Sequence, residues 1–193
     1  MNLDTLLAKR IRALRKLRGY SLETLAELSS VSRSMISVIE RAETSATATV
    51  LNKLADALGV SLASLFSEQA EETISPLARH DSQSVWQDPS SGYLRRQLSP
   101  PGYGTPIELA EVIFMPGQSV TFENAMRSIV THQQIWMLAG EMHITVEGQC
   151  WQLKAGDCLA MTLGQLIVFH NPTSISARYL VALTTLPSTS GRP

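Results

Sequence analysis

Residues 21–41, SLETLAELSSVSRSMISVIER, read as two short helices joined by a tight turn. Serine at 21 and at 32 can cap the first free backbone N–H groups of a helix. In each case the preceding apolar residue can pack on the one four positions after the serine. Tyr20 then meets Leu25 and Val31 meets Ile36, the geometry of a hydrophobic staple. Ala26 lies inside the first helix, where a small side chain lets the second pack close.

The pattern extends in both directions. Upstream, Leu3, Leu7, Ile11, Leu14 and Leu17 recur at three- and four-residue spacing, one apolar helical face that Gly19 ends. Downstream, Leu51, Leu54, Ala55 and Leu58 mark a helix over about 47–58 with Gly59 at its exit. Val60-Ser61, with Leu65 four residues on, signals a further start. Five short helices are therefore expected in residues 1–66.

Residues 67–92 are polar, lack a sustained helical stripe, and read as a linker that docks its apolar members, such as Trp86, on the second half of the chain. From 93 onward the period shifts toward two. Runs such as IELAEVIF, QIWML, MHITV and LIVFH alternate with turn signals, which suggests a barrel or jelly roll over 93–187. The expected fold class is thus multidomain α + β.

Composition agrees with a folded, two-part chain. It is 44% hydrophobic and 17% charged with a formal net charge of −1. Residues 1–66 carry a balance of +3 and residues 67–193 one of −4, so only the front is suited to a polyanion. Cys150 and Cys158 form no CxxC pair, which suits a reducing compartment and gives no zinc signature. The N-terminus lacks a signal-peptide apolar core, and no stretch approaches a membrane span. A cytoplasmic protein without membrane association is expected.

Residues 4–66 resemble the helix-turn-helix of the XRE family, the lambda-repressor-like group that includes Cro and the phage repressors. Ser30 departs from the glycine many members carry in the turn. The resemblance implies double-stranded DNA as partner and 32–41 as the recognition helix. Arg33 is then the candidate for direct readout, because guanidinium can bond guanine O6 and N7 together. Ser34 and Ser37 lie on the same side. Ser32, Ser21 and Thr47 sit at helix starts that can hold phosphates. Arg10, with the other cations of the first helix, supplies general attraction. Glu40 and Arg41 read as structural ion-pair partners.

Residues 105–185 resemble the cupin domain, a double-stranded β-helix found behind an XRE module in many regulators. Gly117, Gly140, Gly156, Gly164 and Asn171 fall at motif positions. The four metal-ligand positions instead read Glu123, Ala125, Gln133 and Ile167. Such a set does not hold a transition metal, so no metal or other cofactor is expected. His80, His132, His143 and His170 read as satisfied surface or interface residues.

Strand alternation places Gln133 and Met137 on one face, with Ile167 and Phe169 across. Glu123 and Gln133 would anchor a small-molecule effector, an amino acid or other metabolite, and Arg127 could close over an anion. The resulting reading is a homodimeric, non-enzymatic transcriptional regulator whose barrel senses an effector. The alternatives are a metal-dependent cupin enzyme fused to a DNA module, and a barrel that serves only for dimerisation.

Overall fold

The computed structural model describes residues 3–66, 75–123, 129–163 and 166–187. The front of the chain forms helices α1 (Leu3–Leu17), α2 (Leu22–Ser29), α3 (Arg33–Glu40) and α4 (Ala48–Leu58). Each expected cap is made. Ser21 Oγ accepts from Thr24 N, Ser32 Oγ from Met35 N, and Thr47 Oγ1 from Val50 N. Ser30 ends α2 at φ 55°, ψ 27°, the left-handed conformation that glycine adopts more freely.

Two details differ from the sequence expectation. Leu17 is 81% exposed, because the apolar face of α1 is spent at Leu14 before the helix ends. The fifth helix is a single 3-10 turn, Ala63–Phe66, so four α-helices are present among the described residues. Ser61 does cap this turn, accepting from Ser64 N. Ser64 Oγ donates back to Ser61 O, a local bond that competes with helix propagation.

Ten strands complete the chain: β1 (Val85–Gln87), β2 (Leu94–Gln97), β3 (Glu108–Phe114), β4 (Ser119–Glu123), β5 (Ile129–Ala139), β6 (Glu141–Val146), β7 (Gln149–Lys154), β8 (Cys158–Thr162), β9 (Leu166–His170) and β10 (Ala177–Pro187). They make two antiparallel sheets, ordered β1-β2-β3-β10-β5-β8 and β4-β9-β6-β7. The inner faces alternate as a jelly roll requires. Ile135, Met137, Val112 and Phe114 face Ile144, Met142, Ile167 and Phe169, all buried. This is the barrel that the cupin resemblance implies. Its sheet begins at Val85, inside the stretch that reads as linker.

The two parts share one buried apolar cluster. A ladder of rings crosses between them: Phe66, Trp86, Tyr93 and Phe114, with successive centroids 5.6 Å apart. Such pairs contribute about 0.5–1.5 kcal/mol each beyond area burial. Polar contacts lay α4 along β4. Asp88 Oδ1 accepts from Ala48 N at 2.8 Å, Thr49 Oγ1 donates to Thr121 O at 2.9 Å, and Lys53 Nζ meets Glu123 Oε2 at 2.8 Å. Asp88 is buried, and its other oxygen is satisfied by Ser91 N and Oγ.

At the barrel end, buried Asn171 pins the turn from β9 to β10. Its Nδ2 donates to Phe114 O and Ile175 O, and its Oδ1 accepts from Thr173. Opposite it, Gly140 joins β5 to β6 at φ 77°. A Cβ there would lie 2.8 Å from Ala177 Cα and 3.0 Å from Ser176 O, both backbone atoms that cannot swing aside. Gly140→Ala should therefore destabilise the barrel by about 2–4 kcal/mol, from left-handed strain plus overpacking. Urea unfolding checks this, and an unchanged midpoint would mean that the turn yields.

Candidate nucleic-acid interface and barrel cavity

Helix α3 turns its N-terminal end to solvent. Val31, Ile36 and Ile39 are buried and pin the helix to the domain core. Ser32, Arg33, Ser34 and Met35 stand exposed. Arg33 Nε contacts Glu23 Oε1 of α2 at 2.6 Å, with the Arg33 side chain 66% exposed. An ion pair so open to water contributes about 0–1 kcal/mol, so a stronger acceptor can displace Glu23. Ser32 Oγ also contacts Ser34 Oγ at 3.1 Å. Ser37 is half-buried and accepts from Arg41 Nη1 at 2.6 Å, while Arg41 also pairs with Glu43. Ser21 is exposed at the start of α2 and holds Thr24.

The pairing behind this surface is tighter. Arg15 of α1 grips Glu40 of α3 through Nε and Nη2 at 2.6 and 2.7 Å, and both side chains are largely buried. The hydrogen bond to Glu40 raises the Arg15 pKa and fixes the angle at which α3 is presented. Arg41 takes the structural role its sequence position suggests through Glu43, at the exposed end of the same helix.

Two DNA candidates are corrected by their surroundings. Thr47 begins α4, whose N-terminus is turned to the barrel. Ala48 N already donates to the Asp88 carboxylate, which occupies the place a phosphate would take. Arg10 is half-buried. Its Nε is shut from solvent without a partner, and desolvation lowers its pKa. The exposed cations of α1 are Lys9, Arg12, Lys16 and Arg18, the last donating to Leu58 O at the end of α4.

The barrel interior encloses a cavity of about 70 Å³. Gln133, Ile167 and Phe169 line it, as strand alternation places them. Met137 is buried but is not part of its wall. Glu123 does not point in. It is 57% exposed and paired with Lys53, which holds its carboxyl below the usual carboxylate range. The alternation argument fails there because Glu123 ends β4 at the barrel rim. Arg127, with Ala125, lies outside the described residues.

Sequence reasoning missed part of the wall. Tyr93, Arg95, Thr131 and Tyr179 line it from the six-stranded sheet, and Asn52, Ser61 and Leu62 close it from the helical part. Burial raises the pKa of Tyr93 and of Tyr179, which keeps both phenols neutral. Desolvation pulls the Arg95 pKa down, opposed by the nearby Tyr93, Glu108 and Tyr179. The signal was available in YLRRQL. Tyr93, Arg95 and Gln97 alternate, and all three are buried, whereas Leu94 and Arg96 are not.

The donor set does not fit a transition metal. Ile167 has no donor atom, Gln133 is neutral, and Glu123 is turned to Lys53. Among the described residues no three His, Cys, Asp or Glu side chains are grouped closely enough to hold a metal ion. His143 and His170 sit as register partners on the four-stranded sheet, engaged with Glu141 and with Gln118 O respectively. No helix among the described residues is long and apolar enough to cross a membrane.

Residues 11–65 match the HTH_3 helix-turn-helix family. The HTH-type transcriptional regulator PuuR of Escherichia coli (strain K12) is 28% identical over 91% of this chain and 93% of its own length. The HTH-type transcriptional regulator SutR of the same organism is 24% identical, over 88% and 89%. Among solved structures, an HTH_3 family transcriptional regulator from Vibrio cholerae is similar at TM-score 0.75 and 23% identity, covering 94% of this chain and 96% of that one, so the two share a fold. Residues 11–65 thus belong to the HTH_3 helix-turn-helix family of the XRE type, which makes this chain a DNA-binding transcriptional regulator with a cupin-type barrel behind its reading head.

Proposed function

We propose that the chain binds operator DNA as a cytoplasmic homodimer, and that a small organic effector in the barrel cavity changes that binding without undergoing a reaction there. One observation carries this reading. The cavity wall is built by both parts of the chain, with Asn52, Ser61 and Leu62 on one side and Gln133, Ile167 and Phe169 on the other. An occupant therefore touches α4, the helix docked on β4, without any relay. It shifts DNA binding to the extent that it prefers one docking arrangement over another.

On DNA, the exposed end of α3 enters the major groove. Arg33 exchanges Glu23 for a guanine edge, and Ser34 reaches the neighbouring base or phosphate. Ser32 and Ser21 present helix starts to the phosphates, and Ser37 steadies Arg41 beside them. A single recognition helix reads too few bases for useful specificity, so two copies are required, with half-sites one turn or roughly 34 Å apart.

The outer face of the six-stranded sheet supports pairing. Trp136 is 50% exposed there, on the same sheet as the exposed Leu109 and Val130. Trp136→Glu should shift the chain from dimer to monomer in light scattering. A mass unchanged by the substitution would move the interface elsewhere.

Selection of duplexes from a random pool by the purified chain tests the function as a whole. An inverted repeat with one-turn spacing is expected, and no enrichment at low salt would end the regulator reading. On the selected duplex, Arg33→Ala should weaken binding by about 1–3 kcal/mol and relax the preference at one base pair, with helicity unchanged. Equal affinity in fluorescence anisotropy would remove Arg33 from the readers.

A further inference from the structure

We infer that the effector is a small organic carboxylate held by Arg95, a reading that rests on the effector role of the barrel cavity. Arg95 comes from the inner face of β2 and lines the cavity while only 7% exposed. Its Nε has no partner, and no described carboxylate lies within ion-pair distance of its guanidinium. The next residue shows the contrast. Arg96 points outward and shares Glu111 with Arg178.

A guanidinium cannot shed its proton, so a buried one without a counter-ion is a standing cost to the fold. The groups around it do not relieve that cost. Tyr93 and Tyr179 stay neutral, and Glu108 accepts from Ser61 Oγ at 2.9 and 3.1 Å. A carboxylate matches the planar donor fork of guanidinium in a way that an amide or an ammonium does not.

The rest of the wall selects the body of the ligand. Phe114, Phe122, Val112 and Ile167 are apolar, while Gln133 and Thr131 offer hydrogen-bonding atoms. At about 70 Å³ the space exceeds the roughly 10–15 Å³ that one water needs, and it takes a chain of a few carbons. One cation among aromatic walls suits a monoanion better than a phosphate.

The same geometry supplies a route to the DNA-binding part. Glu108 is coupled electrostatically to Arg95 and hydrogen-bonded to Ser61, which caps the last turn of the helical part. A carboxylate arriving at Arg95 takes over the positive charge that Glu108 feels. Glu108 and Ser61 then loosen, and α4 docks less firmly.

Thermal unfolding of the full chain at fixed ionic strength tests this. The probes are 10 mM butyrate, 3-methylbutyrate, butyramide, butylamine and inorganic phosphate. The two carboxylates should raise the Tm by about 2 °C or more by mass action, and the other three should not. Arg95→Met should lose that response and, freed of an unpaired buried charge, melt above the wild type when no ligand is present. If that variant does not fold, Arg95→Gln carries the same comparison.

A response to carboxylates that persists without Arg95, or an equal response to phosphate, overturns the assignment. Stabilisation by the amine or amide alone, lost in Gln133→Leu, overturns it while leaving the effector reading intact. No response to any of the five overturns both.

Discussion

The seating of α4 on the barrel is the contact on which the arrangement depends. The N-terminus of α4 rests on the Asp88 carboxylate, its flank runs along β4, and the turn after it feeds Phe66 into the ring ladder that ends at Phe114. Because of this seating, the barrel mouth is closed by Asn52 and Leu62 and not by a loop of the barrel itself. The α4 N-terminus is thereby withdrawn from DNA, and the exposed start of α3 is left as the reading surface. Fold, cavity and interface thus share one structural cause.

The two functional surfaces are built to opposite specifications. At the DNA end, the pairing of Arg33 with Glu23 is water-exposed and easily exchanged, whereas the Arg15–Glu40 pair beneath it is mostly buried and bidentate. A rigid support carries a loosely held reader, which suits direct readout. In the cavity the charge is buried and unpaired. Arg95 is there at a cost to the apo fold, and a partner that neutralises it regains that cost on binding.

Much of this was legible in the residues because its causes are local. A serine cap and a hydrophobic staple act within five residues, so the starts of α2 and α3 follow from Tyr20-Ser21 and Val31-Ser32 alone. Inner-face alternation likewise identified Gln133, Ile167 and Phe169 as cavity residues. Three features were not local. In YLRRQL either alternate set could face inward, and leucine at 94 favours the wrong one. Only the stacking of Tyr93 on Phe114 settles it. Glu123 satisfies the inward pattern but sits at a rim where Lys53, 70 residues earlier in the chain, draws it out. Docking of α4 depends on surfaces far apart in sequence, so nothing near Thr47 announced Asp88.

All three tryptophans, Trp86, Trp136 and Trp151, lie beyond the helical part. Their fluorescence tracks the barrel, while far-ultraviolet circular dichroism near 222 nm tracks the helices. A urea titration of the full chain read by both signals measures whether the two parts share a core. Shared packing through α4 and the ring ladder predicts coincident transitions with one midpoint. Two separated midpoints, helices melting apart from tryptophans, would contradict it.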